Sequence, residues 1–379
     1  MNIALTSGVA LGTHIPGLLL DRALSARGVP SRVYVLEKYF PDEVRQRIQI
    51  AKGRYSRDYR LAKAAHALAT DHAELIPPQT LTALFEEWDA AGVGSVTVFS
   101  GFWTDVVAAY ADRRPDIRVD VCHVDAVPSP SHRHAAEIPG STHTWLLDAR
   151  TNTLTETIPV TRPGARLPWK SRSDGFLAHG GGWGMGTHPA AAARLVEAGV
   201  PVSLILPEPW SDPPAGLSAY HQDPGWEPGR GTGFPRLVAG AGTVAPAFDD
   251  REHWADTFEL TRRSRAVVSK PGAGTLLDSL NAATPVLFTD PLGGWELANE
   301  RVWCALGFGM RLSEWLDRRD PALLQAMHER LRAAADEAAS YPERIVAEGF
   351  GRGAGRGAGE GFGEGFEQGF GQGFGRRDR

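Results

Sequence analysis

Lys270, Thr275 and Asp278 fall within one short stretch, Ser269-Lys270-Pro271-Gly272-Ala273-Gly274-Thr275-Leu276-Leu277-Asp278, behind the apolar run Ala266-Val267-Val268. Leu276, Leu277 and Leu280 then recur at helical spacing, so the stretch reads as strand, glycine turn, helix. Small residues at the turn let backbone N–H groups approach a ligand, and the first helical turn adds unpaired donors and the positive end of its dipole. Such a turn seats an anion, most often a diphosphate. Asp278, one helical turn past Gly274, is within reach of a ribose hydroxyl beside it. The same turn also fits a plain strand-to-helix connection with no ligand.

A second candidate for chemistry is His14, in Gly12-Thr13-His14-Ile15-Pro16. A histidine titrating near neutrality suits a general base, and the alternative is a loop histidine that caps a helix starting at Pro16. His132 and His134 stand two residues apart with no third ligand nearby, the pattern of a loop, so no metal is expected. No Asp-x-Asp occurs in the chain, and the two cysteines, Cys122 and Cys304, form no framework.

The elements that must hold these residues follow an αβ rhythm. Asn2 to Leu5 is a strand, Ser7 to Gly12 a loop, Pro16 to Arg27 a helix stopped by Gly28, and Ser31 to Leu36 a strand. This βαβ unit implies a parallel sheet with its ligands beyond the carboxyl ends of the strands, where Thr13 and His14 lie. Residues 41–75 are Arg-rich and helical in pattern, with Tyr55 and Tyr59 one turn apart; they read either as an acceptor-facing helix or as a solvated one. Further strands are expected at Ser95 to Phe99 and Val119 to Val124.

The breakers of Arg162 to Pro168 mark a linker, after which the rhythm restarts. The second half is expected to hold strands at Phe176 to Ala178, Val202 to Leu206, Leu237 to Ala239, Thr243 to Ala245 and Pro285 to Phe288. Helices are expected at Pro189 to Ala198 and 251–264, with Pro207 to Gly233 a surface excursion. A last helix runs from Ala322 to Ala347 with a break at Pro342, and beyond Gly349 a Gly/Phe-rich tail is too poor in apolar surface to fold alone.

The 379 residues suffice for two domains, and 42% hydrophobic with 22% charged residues is ordinary for a globular protein. A net charge of -5 gives no reason to expect nucleic acid or an anionic membrane as partner. No apolar run is long enough to span a bilayer and no basic leader opens the chain, so a cytoplasmic location is expected. The pattern sets no oligomeric state.

Together these residues resemble a known family. Gly180-Gly181-Gly182-Trp183-Gly184-Met185-Gly186-Thr187 resembles the glycine loop that opens the donor domain of monogalactosyldiacylglycerol synthases and MurG-type transferases, and Ser269 to Thr275 resembles their second phosphate loop. Gly12 to Pro16 resembles a loop of natural-product glycosyltransferases. The resemblance implies an α/β chain of the GT-B architecture, two Rossmann-like domains facing across a cleft. The acceptor domain would be residues 1–160, the linker 161–174, the donor domain 175–348 and the tail 349–379.

It also implies roles. Lys270, Gly272, Ala273, Gly274 and Thr275 would hold the diphosphate and Asp278 the ribose. Glu296 and Asn299 would meet sugar hydroxyls, with Trp295-Glu296 replacing the commoner Asp-Gln. Phe248 lies in the region that frames the nucleobase, or is core. Gly182 and Gly184 to Thr187 would close over the phosphates or line the acceptor side. His14 would be the base, and since Ser100 stands where the family has an orienting Asp, Asp105 is the nearest substitute. The implied activity is inverting, metal-independent transfer from a nucleotide-diphosphate sugar, expected to be UDP-linked, to a small-molecule acceptor such as a natural product. No separate cofactor is expected. A nucleotide-sugar epimerase of the same fold and a catalytically silent sugar-nucleotide-binding partner protein are the alternatives.

Overall fold

The computed structural model describes residues 1–8, 11–67, 75–209, 215–229, 233–248 and 250–351. The expected tail falls almost wholly on residues 352–379, outside the described residues. Strands β1 (Asn2–Thr6), β2 (Ser31–Val35), β3 (Ser95–Val98), β4 (Arg118–His123) and β5 (Thr142–Trp145) form one sheet, ordered β2-β1-β3-β4-β5. Every pairing in it is parallel. Helices α1 (Leu11–Ser25), α2 (Asp42–Arg57), α3 (Tyr59–Ala67), α4 (Pro78–Ala90) and α5 (Thr104–Arg113) connect these strands. Trp88, Trp103, Tyr110 and Phe85 fill the space between the sheet and α4 and α5, burying large aromatic area where β1, β3 and β4 present Ile3, Leu5, Val96, Val98 and Val121.

A short hairpin of β6 (Leu147–Asp148) and β7 (Thr153–Leu154), then β8 (Glu156–Thr157), leads to the second sheet. Its strands are β9 (Phe176–His179), β10 (Val202–Leu206), β11 (Leu217–Gln222), β12 (Leu237–Ala239), β13 (Ala266–Ser269), β14 (Val286–Phe288) and β15 (Gly309–Arg311), ordered β12-β11-β10-β9-β13-β14-β15. Only β12, at the edge, runs antiparallel to its neighbour. Helices α6 (His188–Glu197), α7 (Asp256–Arg263), α8 (Ala273–Ala282), α9 (Gly294–Ala305), α10 (Leu312–Arg318) and α11 (Pro321–Glu337) complete this lobe. Two Rossmann-like lobes thus face each other across a cleft, the GT-B architecture that the resemblance implies.

The chain then recrosses. After α11, β16 (Ala339–Ser340) pairs with β8, and α12 (Tyr341–Ala347) packs on α1 of the first lobe. Arg344 bonds Glu156, Thr144 and Asp120 there, while Tyr341 is fully buried with Leu18 and Ala4.

Several boundaries depart from expectation. α1 begins at Leu11, so Gly12, Thr13 and His14 are helical, and Pro16 sits inside the helix. The last helix breaks at Ala338 to Ser340, not at Pro342; Ser340 accepts from Glu343 N at 3.4 Å and Pro342 occupies the first turn, where its missing N–H costs nothing. β11 lies inside the supposed surface excursion, its Ala219 and Tyr220 buried. Thr243 to Ala245 is not a strand, and Val244 is 92% exposed. The expected helix at 251–264 starts only at Asp256, whose carboxylate accepts from Leu237 N and Arg251.

Arg172, only 5% exposed, joins the interlobe connection to the second lobe by donating to Leu167 O, Ser264 O, Ala282 O and Thr284 Oγ1. Those acceptors are all neutral, so burial lowers its pKa to about 10. Arg172→Leu leaves several carbonyls unpaired and is expected to lower stability by roughly 3 kcal/mol. The check is a urea midpoint, which should drop without a change in slope.

Candidate functional site

The cleft holds a cavity of about 490 Å³, within the range of small-ligand sites. Its floor is built where strands end and helices begin. β9 runs into the loop 180–187. There the backbone turns so tightly that a Cβ on Gly180 would lie 2.5 Å from Gly184 C and 2.6 Å from Met185 O, so no other residue fits. β13 runs into Lys270-Pro271-Gly272 and α8. From the other lobe α1 starts directly opposite, and a Cβ on Gly274 would sit 3.2 Å from Gly12 Cα. Two helix N-termini therefore meet at one place, each with unpaired N–H groups and the positive end of a dipole.

Lys270 stands at the junction of the two glycine loops. A Cβ on Gly181 would be 3.9 Å from Lys270 Nζ, and one on Gly272 would be 3.3 Å from it. The ammonium is ion-paired with Glu296, whose other oxygen accepts from Leu292 N at 2.6 Å. Lys270, Gly272, Ala273, Gly274, Thr275, Asp278, Glu296 and Gly182 all line the cavity. Burial pushes the Asp278 carboxyl up to about 7, well above the usual carboxylate range.

Other expected residues are placed differently. Gly184 packs on Pro207, and Thr187 is the residue before α6; neither lines the cavity. Phe248 packs beside Leu177, Tyr220, Leu237, Leu260 and Val267, with the Arg251 guanidinium 5.2 Å over its ring, and is not a lining residue. Asn299 is fully buried and does not face the cavity. Its amide donates to Asp125 Oδ1 at 2.7 Å and to Pro271 O at 3.0 Å, and its Oδ1 accepts from Ala126 N at 2.8 Å. Both its donor hydrogens and an acceptor site are thereby used, so it ties the lobes together instead of meeting a sugar.

His14 is 2% exposed and does not itself line the cavity, although Thr13 and Ile15 on either side of it do, and its ring lies 6.1 Å from that of Trp226. Its Nδ1 is 3.1 Å from Thr6 Oγ1, which itself donates to Tyr34 O. Thr6 can therefore only accept from the ring, so Nδ1 carries the hydrogen and Nε2 keeps its lone pair. Burial lowers the pKa to about 4, so the ring stays neutral and does not titrate near neutrality as expected. The orienting group is thus Thr6 and not Asp105, which is exposed in the first turn of α5. Ser100 lines the cavity, and its buried Oγ has no partner among the described residues. His132 bonds Ser129 and Ser131 and stacks near His123, while His134 is exposed. Among the described residues no group of three or more His, Cys, Asp or Glu could hold a metal ion.

Two titratable lining residues were not anticipated. His179 ends β9 and accepts from Gly181 N at 3.2 Å; Asp125 follows β4 and is pushed up by burial to about 6. Both stand at or just beyond the carboxyl end of a parallel strand, the signal that could have marked them.

The wall formed with α2 and α3 is apolar. Ile48, Ala51 and Tyr55 of α2 and Ala65 of α3 face Trp183, Met185, Leu292 and Trp295 across the cleft. Tyr55 stacks on Trp183 with centroids 6.2 Å apart, and Tyr59 donates to Asp290 O at 2.7 Å. The Arg-rich segment therefore reaches both lobes through Tyr55 and Tyr59, while its Arg45, Arg47, Arg54 and Arg57 stay exposed to solvent.

No protein-family model and no curated protein matches the chain. Among solved structures, the glycosyltransferase SsfS6 of Streptomyces sp. SF2575, complexed with thymidine diphosphate, aligns with 92% of this chain and 99% of its own at a TM-score of 0.54 and 15% identity. The spinosyn rhamnosyltransferase SpnG aligns with 92% of this chain and 99% of its own at a TM-score of 0.51 and 13% identity. The glycosyltransferase SnogD of Streptomyces nogalater aligns with 92% and 98% at a TM-score of 0.50 and 15% identity. At such identities the likeness is one of fold, and that fold is GT-B.

Asn299→Leu removes all three of its bonds and deprives Asp125 of its donor, so a stability loss of roughly 3 kcal/mol is expected at pH 7.5. Asp125 already titrates above an unfolded carboxyl, so its contribution favours folding most at low pH and is lost as pH rises through about 6. Losing the Asn299 donor raises that pKa further. The deficit should therefore be larger at pH 7.5 than at pH 5, read from denaturation midpoints at the two pH values.

Proposed function

We propose that the protein transfers a sugar from a nucleotide-diphosphate donor to a hydroxyl of an apolar small molecule, with inversion and without a metal ion. The observation that carries this reading is the convergence of two glycine loops on Lys270, beside the point where the N-termini of α1 and α8 meet. Breaking the bond between C1 of the sugar and the diphosphate leaves growing negative charge on the leaving phosphate. Preorganised amides and an ammonium stabilise that charge without reorganising. Thr275 adds a hydroxyl in the first turn of α8, and Asp278 lies one turn on for the ribose. The apolar wall of α2 and α3 opposite suits a hydrophobic acceptor. Inversion follows from a single displacement by an acceptor held on the lobe across from the leaving group.

In this reading His14 takes the acceptor's proton through Nε2, the lone pair that the Thr6 bond leaves free. The donor nucleotide is a pyrimidine diphosphate. UDP is the expectation from the loops, and SsfS6, with thymidine diphosphate in its solved complex, brings dTDP in beside it.

A second reading, epimerisation of the donor sugar, draws support from three carboxyl groups that line the cavity, Asp125, Asp278 and Glu296. Incubation with UDP- and dTDP-sugars separates the readings. Nucleotide released only with an acceptor marks transfer, conversion of the sugar alone marks epimerisation, and binding without either marks a silent partner.

Two substitutions probe the assignment. Lys270→Met is expected to weaken nucleoside diphosphate binding by roughly tenfold to a hundredfold while leaving the weak binding of the nucleoside unchanged, as calorimetry would report. His14→Ala is expected to lower turnover at least about a hundredfold at similar donor affinity, and near-normal turnover would remove it as the base.

A further inference from the structure

We propose that Asp125 grips the transferred sugar from the first lobe, accepting hydrogen bonds from its hydroxyl groups, so that the sugar is held between Asp125 on one side and Glu296 on the other. The inference rests on the donor reading above and deepens it. Among the described first-lobe residues that line the cavity, Asp125 is the one that carries a charge; its neighbours there are Val124, Phe102, Ser129, Pro130 and Ser131. It is 8% exposed. Asn299 fixes one carboxylate oxygen, Oδ1, at 2.7 Å, and among the described residues nothing bonds Oδ2.

Position ties this carboxylate to the sugar and not to the base or the acceptor. The Asn299 amide that holds Asp125 also holds Pro271 O, at 3.0 Å, so a single side chain fixes the distance between Asp125 and the turn that would seat the diphosphate. A sugar on the distal phosphate must lie next to that turn. Lys270 and Glu296 both act on Asp125 electrostatically, the former favouring its charged form and the latter opposing it. The one nearby ammonium, Lys270, is engaged by Glu296. A carboxylate oxygen in so apolar a cleft is costly unless a ligand brings donors to it, and sugar hydroxyls are such donors. Asn299, expected to meet the sugar, thus acts as a positioning residue that presents Asp125 in its place.

The test needs no acceptor. Isothermal calorimetry on the full chain at pH 7.5 compares UDP and dTDP with UDP- and dTDP-linked glucose, galactose and N-acetylglucosamine, for the wild type, Asp125→Ala and Asp125→Asn. For the tightest sugar nucleotide, Asp125→Ala is expected to lose at least about tenfold in affinity, with less than about twofold change for the corresponding free nucleotide, and Asp125→Asn to recover part of the loss. Equal losses on the free and the sugar-bearing nucleotide would make Asp125 merely structural and overturn the proposal, as would no loss on either. Wild-type protein that binds neither form would overturn the donor reading as well. Wild-type binding of both with an unaffected variant would overturn this inference alone. A thermal midpoint for each variant confirms that it is folded.

Discussion

A helix begins with N–H groups that its own backbone cannot satisfy, and in this protein two helices begin at the same point from opposite lobes. α8 and α1 approach closely at Gly274 and Gly12, where a Cβ on Gly274 would sit 3.2 Å from Gly12 Cα. Both dipoles then direct positive potential into one apolar cleft, where low dielectric strengthens it. Such convergence is repulsive in an empty cleft unless something negative is near. Glu296, paired with Lys270, and the half-buried carboxyl of Asp278 supply it within the protein. An entering diphosphate would compete with Glu296 for Lys270, which makes the ion pair an internal stand-in for the ligand.

The features legible in the sequence were those set by local chemistry. Ala266-Val267-Val268 before Pro271-Gly272 and a leucine-spaced run can hardly be other than strand, turn and helix, and the second glycine loop repeats the pattern after β9. What could not be read depends on distant contacts. Asn299 looks like a polar residue in a ligand-facing turn, and only the arrival of Asp125 and Ala126, 174 and 173 residues away, uses up its bonds. The role of Thr6 as partner of His14 was hidden because the family-like position, Ser100, drew attention to Asp105. β11 was masked by the Pro and Gly around it: composition marked the flanks correctly and the strand between them wrongly. The start of α1 was misjudged for the opposite reason, since Pro16 was read as a helix start although it is the sixth residue of the helix, where it leaves Gly12 O without its intrahelical donor.

The placement of polar groups in the cleft is uneven in a way that has chemical content. Positive charge and amides belong to the floor, formed by β13, α8 and the loop after β9. The α2–α3 strap contributes apolar and aromatic surface. Asp125 is the exception, a charged group from the first lobe set at the border between the two regions. In the proposed transfer the bond being broken would sit at that border, where the two environments meet.

The same border is where the lobes are pinned. Asn299 joins α9 to the residues after β4, α12 returns from the second lobe to α1, and α2–α3 reaches Trp183 and Asp290. These contacts differ in kind. The α12 return buries Tyr341 and Ile345 in apolar core, an interaction that weakens little for small displacements, whereas the bonds of Asn299 have a narrow range of length and angle. A change in lobe spacing would therefore be felt first at Asn299, and through it at Asp125 and Pro271 together. The distance between the Pro271 turn and the first-lobe carboxylate is thus set by the most geometrically demanding of these contacts.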